Sequence, residues 1–422
     1  MSSRWGWFAL FSFVCVTFFG CDDDEQKPES SVEDRGHIKI VRLKGTPYQM
    51  GVQHGTLLYE ELEEGAQFIQ QGQLWLVMEW AADYGFVEDA WQNSFPSVID
   101  ECRGIEDGTG GVFSADECLV LAYGEVVIEF LEGGHPLGCS QFVATGSATT
   151  GGQTIHGRNL DWDAMSFIEN NPVVFLREPK GAIPYLSLGF PGNVAPFSGI
   201  SSAGMAVASN EASAIDDVDR QGRGHVQMVR WILENAHSLE EAEEFIRAQD
   251  HTTAELLVVS DGVAREGAVF EMTANHLAVR NLSSDDVVYA ANHFVAPGMA
   301  DKCRPTEPGD SSWNRMERLG QLLEPGGPDS LHGSLDTSSA IAILRDTVNV
   351  HTGETHPPEL VDGGGSIANN GSLQSVVFLP ESGVMYVGVG PVPAVTNEFV
   401  GFGIDEVMED PGAALPDPQS YP

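Results

Sequence analysis

The stretch from Pro136 to Asp163, PLGCSQFVATGSATTGGQTIHGRNLDWD, decides how the rest of the chain is read. Its two strand-like runs, SQFVATG and TIHGRNLDW, are separated by glycine and threonine, and Cys139 stands at the head of the first. Upstream the pattern is mainly helical, as in YEELEEGAQFIQQGQLWLVMEWAADYG, after a strand-like HIKIV and a turn at Gly45-Thr46-Pro47. Thr46 suits a helix N-cap and Pro47 the first helical turn. Downstream, short strands prevail: PVVFLREP, IPYLSLGF, SGISSAGMAVASN, AELLVVSDG, EGAVFEMT, HLAVRNL and DVVYAANHF. Helices interrupt them at HVQMVRWILENAHSLEEAEEFIRAQ, where Val229, Ile232, Leu233 and Ala236 share one stripe, and again at SSWNRMERLGQLLE and TSSAIAILRD. Runs of strands with clustered helices imply antiparallel sheets covered by helix layers, an α+β fold. No linker after residue 37 is long enough to separate two folding units, so one domain is expected.

The 422 residues are 42% hydrophobic, with 8 Trp and 21 Phe, enough for a sizeable core. Against 21 Lys+Arg stand 62 Asp+Glu, a formal charge of -41. Such a surface repels phosphate backbones, which argues against nucleic acid as a partner and is read as a solvated exterior. The first residues, MSSRWGWFALFSFVCVTFFG, carry one early arginine and an apolar run too short to span a membrane comfortably. Gly20-Cys21 and the acidic DDDEQKPESS follow, a pattern that resembles a bacterial lipoprotein signal. The expectation is a signal at 1–21 ending in a lipidated Cys21, then a flexible acidic tether at 22–36. Membrane contact would be through the lipid anchor alone, on the periplasmic or cell-surface side.

Four cysteines remain once Cys15 and Cys21 are set aside, and none forms a C-x-x-C pair. Cys102 and Cys118 can bridge in an oxidising compartment. Cys139 needs another explanation. A free thiol has a pKa near 8.5 and needs a base to attack at neutral pH. His135 and His156 flank it, and either can be an ordinary loop residue. Cutting the Gly138–Cys139 bond creates a different base: the α-amine of Cys139 itself, with a pKa of about 7.7–8.0. Gly138 lets the thiol approach its carbonyl. An arginine near the sulfur favours the anion, a carboxylate orients the amine, and side-chain amides suit an oxyanion hole. Arg158, Asp161, Asn210 and Asn292 supply those groups.

GCSQF followed by GRNLDWD resembles the N-terminal nucleophile hydrolases of the choloylglycine hydrolase and penicillin acyltransferase group. The closer likeness is to the acyl-coenzyme A:6-aminopenicillanic acid acyltransferase-like, autoproteolytic branch, over residues 37 to about 400. KGTPYQMGVQHG, SGISSAGMAVASN, YAANHF, SSWNRMERL and GSLQSVVFLPESGVMYVGVG are similar to further elements of that branch. The resemblance implies a four-layer αββα sandwich of two antiparallel sheets, with Cys139 opening a central strand. It implies a propeptide segment at 37–138, a core at 139–402 and an irregular tail at 403–422. By the same likeness Gly138–Cys139 is the autocleavage site, Cys139 the nucleophile, Arg158 the holder of the thiolate and Asp161 of the α-amine. Asn210 and Asn292 would form the oxyanion hole, and Arg315 would complete the polar network. Ser140 and Ala291 depart from the threonines common at those positions, which bears on substrate fit.

The activity so implied is hydrolysis of a linear amide, such as an N-acyl amino acid, a peptide-like bond or a β-lactam side chain, through a thioester. The two fragments would stay associated. The alternatives are acyl transfer to an amine acceptor such as 6-aminopenicillanic acid, and a non-catalytic surface lipoprotein that binds small amphiphiles. Neither a cofactor nor a metal is expected. His351 and His356, in HTGETHPP, are read as solvent-exposed loop residues rather than ligands. GISSA lacks the last glycine of a nucleophile elbow, and QLWLVMEW reads as core or as the wall of an acyl pocket.

Overall fold

The structure is a computed structural model that describes residues 30–71, 74–124, 126, 138–162, 166–215, 218–303, 310–361, 365–409 and 420–421. The signal at 1–21 with Cys21, most of the tether and His135 lie outside the described residues. The chain opens with β1 (Ser31–Arg35) and β2 (Ile38–Gly45). Six helices follow: α1 (Pro47–Leu57), α2 (Tyr59–Gln71), α3 (Leu74–Asp83), α4 (Phe86–Asn93), α5 (Pro96–Thr109) and α6 (Ala115–Tyr123). Next come β3 (Gly138–Ala144), β4 (Ile155–Asp161), a short α7 (Ser166–Asn170), β5 (Val173–Pro179), β6 (Tyr185–Gly189), β7 (Ser198–Ser201) and β8 (Met205–Glu211). Helices α8 (His225–Asn235) and α9 (Leu239–Arg247) lead into β9 (Glu255–Asp261), β10 (Glu266–Met272), β11 (Leu277–Asn281) and β12 (Val287–Ala290). The chain continues through α10 (Ser311–Leu323), α11 (Thr337–Leu344), β13 (Ser372–Leu379), β14 (Val384–Gly388), β15 (Phe399–Gly403), α12 (Ile404–Glu409) and β16 (Ser420–Tyr421).

The strands form a nine-stranded sheet, β1-β2-β5-β6-β7-β8-β9-β10-β11, and a seven-stranded sheet, β12-β3-β4-β13-β14-β15-β16. Between them Val174, Leu176 and Leu188 meet Val376, Phe378 and Val387, while Val143 and Val288 meet Leu256 and Val258. Helix α8 lays the expected stripe of Val229, Ile232, Leu233 and Ala236 on the outer face of the larger sheet. Helices α10 and α11 cover the smaller one through Leu319, Leu322 and Ile341. The fold is the αββα sandwich, with each sheet's two faces buried and its strands correspondingly apolar.

Three details correct the sequence reading. The sheets are antiparallel except at one seam, where β2 runs parallel to β5 from Lys39↔Val173 to Gly45↔Pro179. The strand that Cys139 opens, β3, is second from the edge of its sheet rather than central, because only β12 lies outside it. The ends are also more ordered than their composition suggested. Ser31–Arg35, expected in the tether, pairs with β2 as an edge strand whose Glu33 reaches Arg42, Asp34 reaches Lys39 and Arg35 lies over Phe402. Ile404–Glu409 and Ser420–Tyr421, expected as irregular tail, form a helix and a strand because Ile404 is buried and Tyr421 stands edge-on to Tyr386.

Local chemistry explains the helical upstream segment. Thr46 caps α1 as expected, accepting from the Gln49 amide while the Gln49 side chain accepts from Thr46, and Pro47 follows. Ser114 and Glu117 make the same box at α6. Helices α1 and α5 cross backbone to backbone: a Cβ on Gly51 would sit 2.1 Å from the Glu101 carbonyl, and one on Gly104 2.2 Å from that of Tyr48. Cys102 and Cys118 form a disulfide between α5 and α6. Among the described residues no helix is long and apolar enough to cross a membrane.

Candidate active site

Register brings the site together. Strands β3 and β4 pair so that Gly138 faces Asp161, Cys139 faces Leu160 and Gln141 faces Arg158. Side chains alternate, so Cys139, Gln141, Leu160 and Arg158 share the face toward the larger sheet. Gly138, Ser140, Asn159 and Asp161 share the other. The two candidate charges therefore reach the cysteine from opposite faces, and they meet only because Cys139 lies at the strand's end.

Around Cys139 the polar partners are specific. Its N–H donates to Asn292 Oδ1 at 2.8 Å, and its carbonyl accepts from Arg315 Nη1. Arg315 also donates to Ser140 Oγ at 3.1 Å and, through Nη2, to Asn292 Oδ1 at 2.6 Å. Ser140, the departure noted from the sequence, is thus a direct partner of Arg315. Asn292 is itself fixed, its Nδ2 donating to the Glu211 carbonyl and its backbone N–H to Ser312 Oγ, both at 2.8 Å. The Ser312 hydroxyl is then free to donate to His293 Nδ1, 2.7 Å away. Asn210 Nδ2 donates to the Ala291 carbonyl at 2.9 Å, and its Oδ1 accepts from Gln141 Nε2. Arg158 Nη2 donates to the Ser209 carbonyl at 2.8 Å.

Asp161 sits on the upstream side of the cysteine. Its carboxylate accepts from Asn369 Nδ2 at 2.6 Å and from Ser372 Oγ at 2.8 Å. A Cβ on Gly138 would come within 2.9 Å of Asp161 Oδ2, so only glycine fits there beside the carboxylate. All six residues named from the sequence, with Gly138, therefore converge. In the intact chain, however, the Cys139 amide is held by Asn292 rather than by Asp161. Sequence reasoning missed Asn369, Ser372, Ser312, His293 and Gln141. The NNGS turn before β13 was the available signal for the first two.

Burial dominates the electrostatics. The sulfur-bearing residue is 1% exposed, and desolvation pushes its thiol up to about 11, opposed by the Arg158 and Arg315 cations and reinforced by the Asp161 charge. Burial likewise raises Asp161 to about 6, against the pull of Arg315, Asn369, Ser372 and Arg158. Burial lowers Arg315.

Beside this polar nest lies an apolar pocket. Cys139 packs with Leu160, Phe167, Ile168 and Leu373 and with Phe68, Trp162, Phe190 and Phe197, several of which line that pocket. Its far wall comes from the upstream helices, through Gly65, Ile69, Val77, Met78, Phe113 and Val120. Val77 and Met78 belong to QLWLVMEW, so the pocket-wall reading of that stretch holds for them. The loop through Phe190–Ala195 is pinned from below by buried ions. Arg177 donates to the Asn193 carbonyl and Arg230 to that of Val194, and both arginines pair with Glu101 of α5. Of the histidines in HTGETHPP, His351 is bonded to Asn314. Among the described residues no cluster of three or more His, Cys, Asp or Glu side chains is placed to hold a metal.

Comparison with known proteins supplies the family. An uncharacterized protein of Archaeoglobus fulgidus is 28% identical over 375 residues, covering 76% of this chain and 60% of that protein. The chain thus spans about 60% of the length of this relative. Solved structures with a similar course include the Caenorhabditis elegans ortholog of N-acylethanolamine-hydrolyzing acid amidase (21% identity, 58% of this chain and 93% of that one, TM-score 0.41). A mutant conjugated bile acid hydrolase from Clostridium perfringens is 15% identical over 67% of this chain and 96% of its own, TM-score 0.42. Penicillin V acylase from Agrobacterium tumefaciens is 16% identical over 60% and 83%, TM-score 0.36. The family model for acyl-coenzyme A:6-aminopenicillanic acid acyl-transferase matches residues 148–389. That span begins downstream of Cys139 and takes in Arg158, Asp161, Asn210, Asn292 and Arg315. More than half of the sequence is matched, and the chain belongs to the acyl-coenzyme A:6-aminopenicillanic acid acyl-transferase family.

Proposed function

We propose that this protein is a self-processing amide hydrolase whose nucleophile is Cys139, acting on amides with an apolar acyl group. One observation carries the reading: the amide nitrogen, carbonyl and sulfur of a single residue are each provided for. Asn292 takes the nitrogen, Arg315 takes the carbonyl, and the side chain lies in the apolar cluster whose Phe167 and Ile168 line the pocket.

The first substrate is the chain itself. The Cys139 thiol adds to the Gly138 carbonyl, its proton passes to the Cys139 nitrogen as the C–N bond breaks to free the amine, and water then hydrolyses the thioester to a Gly138 carboxylate and a free thiol. The uncut thiol, held near 11 by burial, is a poor nucleophile at neutral pH. After cutting, the amine accepts the thiol proton, and Arg158 and Arg315 favour the thiolate. The amine stays beside Asn292 Oδ1 and can turn toward Asp161 once Gly138 departs. The thiolate then attacks the acyl carbonyl. Its developing oxyanion is held by the free N–H of Asn210 Nδ2 and of Asn292 Nδ2, each of which spends only one hydrogen on the protein in the bonds described. The ammonium returns a proton to the leaving amine, and water resolves the thioester.

The acyl side is set by the pocket, whose mainly phenylalanine and aliphatic walls, broken by Asn193 and Trp162, favour a hydrocarbon chain. We further read the protein as an exported lipoprotein anchored at Cys21, and the Cys102–Cys118 disulfide supports an oxidising compartment. There coenzyme A thioesters are scarce, which favours hydrolysis over transfer. Transfer to an amine acceptor remains the second reading, from the family's name. The test is a denaturing gel of the purified chain, in which two bands are expected, the larger beginning Cys-Ser-Gln-Phe-Val. A parallel screen of acyl 4-nitroanilides of increasing chain length should release nitroaniline. An intact chain with no turnover overturns the proposal.

A further inference from the structure

Four buried side chains from both sheets form a continuous run that ends on Asn210. Ser260 of β9 lies 3.1 Å from His156 Nδ1, and His156 Nε2 of β4 lies 3.1 Å from Gln141 Oε1. Gln141 of β3 then meets Asn210 of β8, whose Nδ2 reaches the Ala291 carbonyl at 2.9 Å. The direction of every bond follows from that last carbonyl, which can only accept. Asn210 must present its N–H group there, so its Oδ1 faces Gln141, and Gln141 must donate from Nε2. Gln141 Oε1 is left to accept, which makes His156 the donor through Nε2–H and leaves Nδ1 to accept from the Ser260 hydroxyl. Burial, with Arg158 nearby, holds His156 down to about 3, so the ring stays neutral and the run keeps its polarity.

We infer that Gln141, His156 and Ser260 are positioning residues that lock the Asn210 amide with its N–H group toward the nucleophile, and polarise it as an oxyanion donor. An asparagine left to itself can flip end for end and offer oxygen where a donor is needed. Here a flip would set Asn210 Oδ1 against the Ala291 carbonyl and Nδ2 against the Gln141 donor, breaking two buried bonds. Bonds arranged head to tail also strengthen one another. His156, which from the sequence could be an ordinary loop residue, is on this reading the relay between the sheets. The inference rests on the amidase reading for its kinetic consequence but not for its geometry.

The test combines kinetics with a spectroscopic signature. The kinetic probe is the fastest member of a butanoyl-to-palmitoyl 4-nitroanilide series, with the processed wild type as reference. Gln141→Met keeps the length but cannot donate to Asn210, and should lower kcat about 100-fold with KM nearly unchanged. His156→Leu should fall in the same direction. His156→Gln, which restores an N–H donor, should recover most of the rate. Nitrogen NMR of the wild type should find His156 as the Nε2–H tautomer, without titration between about pH 5 and pH 9. A ring protonated on Nδ1, or titrating in that window, overturns the inference, as does a kcat for Gln141→Met within about twofold of wild type. If the wild type neither cuts itself nor turns over any probe, the amidase reading fails, and the tautomer alone decides the arrangement. Should His156→Leu not fold, Gln141→Met and the wild-type spectrum still decide.

Discussion

The two sides of Cys139 are built from different chemistry and different parts of the chain. On one side strands β4 and β8, the turn after β12 and helix α10 bring Arg158, Asp161, Asn210, Asn292 and Arg315 into a hydrogen-bonded nest. On the other, upstream helices and the 190–195 loop make an apolar wall. The nest is stiff because each hydrogen bond fixes the next. The wall is shaped by packing, with its loop held from beneath by Arg177 and Arg230. On the proposed reading the contrast makes reactivity and acyl preference separable, so that substitutions on one side should leave the other largely intact.

The strongest way to break this separation is at the cysteine. Cys139→Ala should leave a single uncut band and remove turnover by about a thousandfold or more, while the apolar pocket still binds its acyl chain. Loss of pocket binding as well, read by quenching of Trp162, would show that the two sides are not independent. Next, Asn292→Ala removes both the support of the Cys139 nitrogen and an oxyanion donor. A kcat loss of about 100-fold or more, with the chain-length ranking unchanged, is expected from steady-state kinetics.

Asp161→Asn tests the stability side of the nest. Burial raises the Asp161 carboxyl from 3.8 to about 6. A raised folded-state value favours folding below the unfolded pKa, and that contribution is lost as pH rises through about 6. Above it the buried charge costs about 3 kcal/mol, an order-of-magnitude figure. Asp161→Asn should therefore unfold at higher urea than wild type at pH 8, with the advantage fading toward pH 4, while self-cutting slows. Equal urea midpoints at pH 8 would show that Asn369 and Ser372 already offset the burial. The smallest effect belongs to the wall. A Cβ at Gly65 would press to 2.8 Å from the Phe167 ring, so Gly65→Ala should shorten the preferred acyl chain. About tenfold or less in kcat/KM is expected between neighbouring chain lengths, the scale of one or two methylenes.

Much of the nest was legible because its residues are chemically unusual where they stand: an arginine and an aspartate inside one strand, and asparagines closing two others. The helix starts were legible too, since Thr46-Pro47 carries its cap in the sequence. What escaped was what depends on pairing. Nothing in the period of HIKIV distinguishes a parallel from an antiparallel neighbour, so the β2–β5 seam was read as antiparallel. SVEDR, with one apolar residue, looked like tether, because its ladder to β2 and the partners of its charges, Arg42 and Lys39, exist only once the strands pair. Gln141 and His156 were hidden by register. Only when β3 and β4 align do they become diagonal neighbours on one face, and only the second sheet supplies Asn210 and Ser260. The glycine pairs of GVQHG and GIEDG were visible as letters but not as a helix crossing, since each needs the other.

One consequence of the parallel seam concerns recovery after damage. Strands β1 and β2 lie upstream of Gly138, and β2 is hydrogen-bonded along its length to β5, which lies downstream. The Cys102–Cys118 bridge is wholly upstream and does not tie the two pieces. Once severed, the molecule would have no covalent link between halves that complete one another's sheet. Refolding from denaturant would then become a second-order encounter, dependent on dilution, whereas an uncut Cys139→Ala chain would refold at a rate indifferent to it.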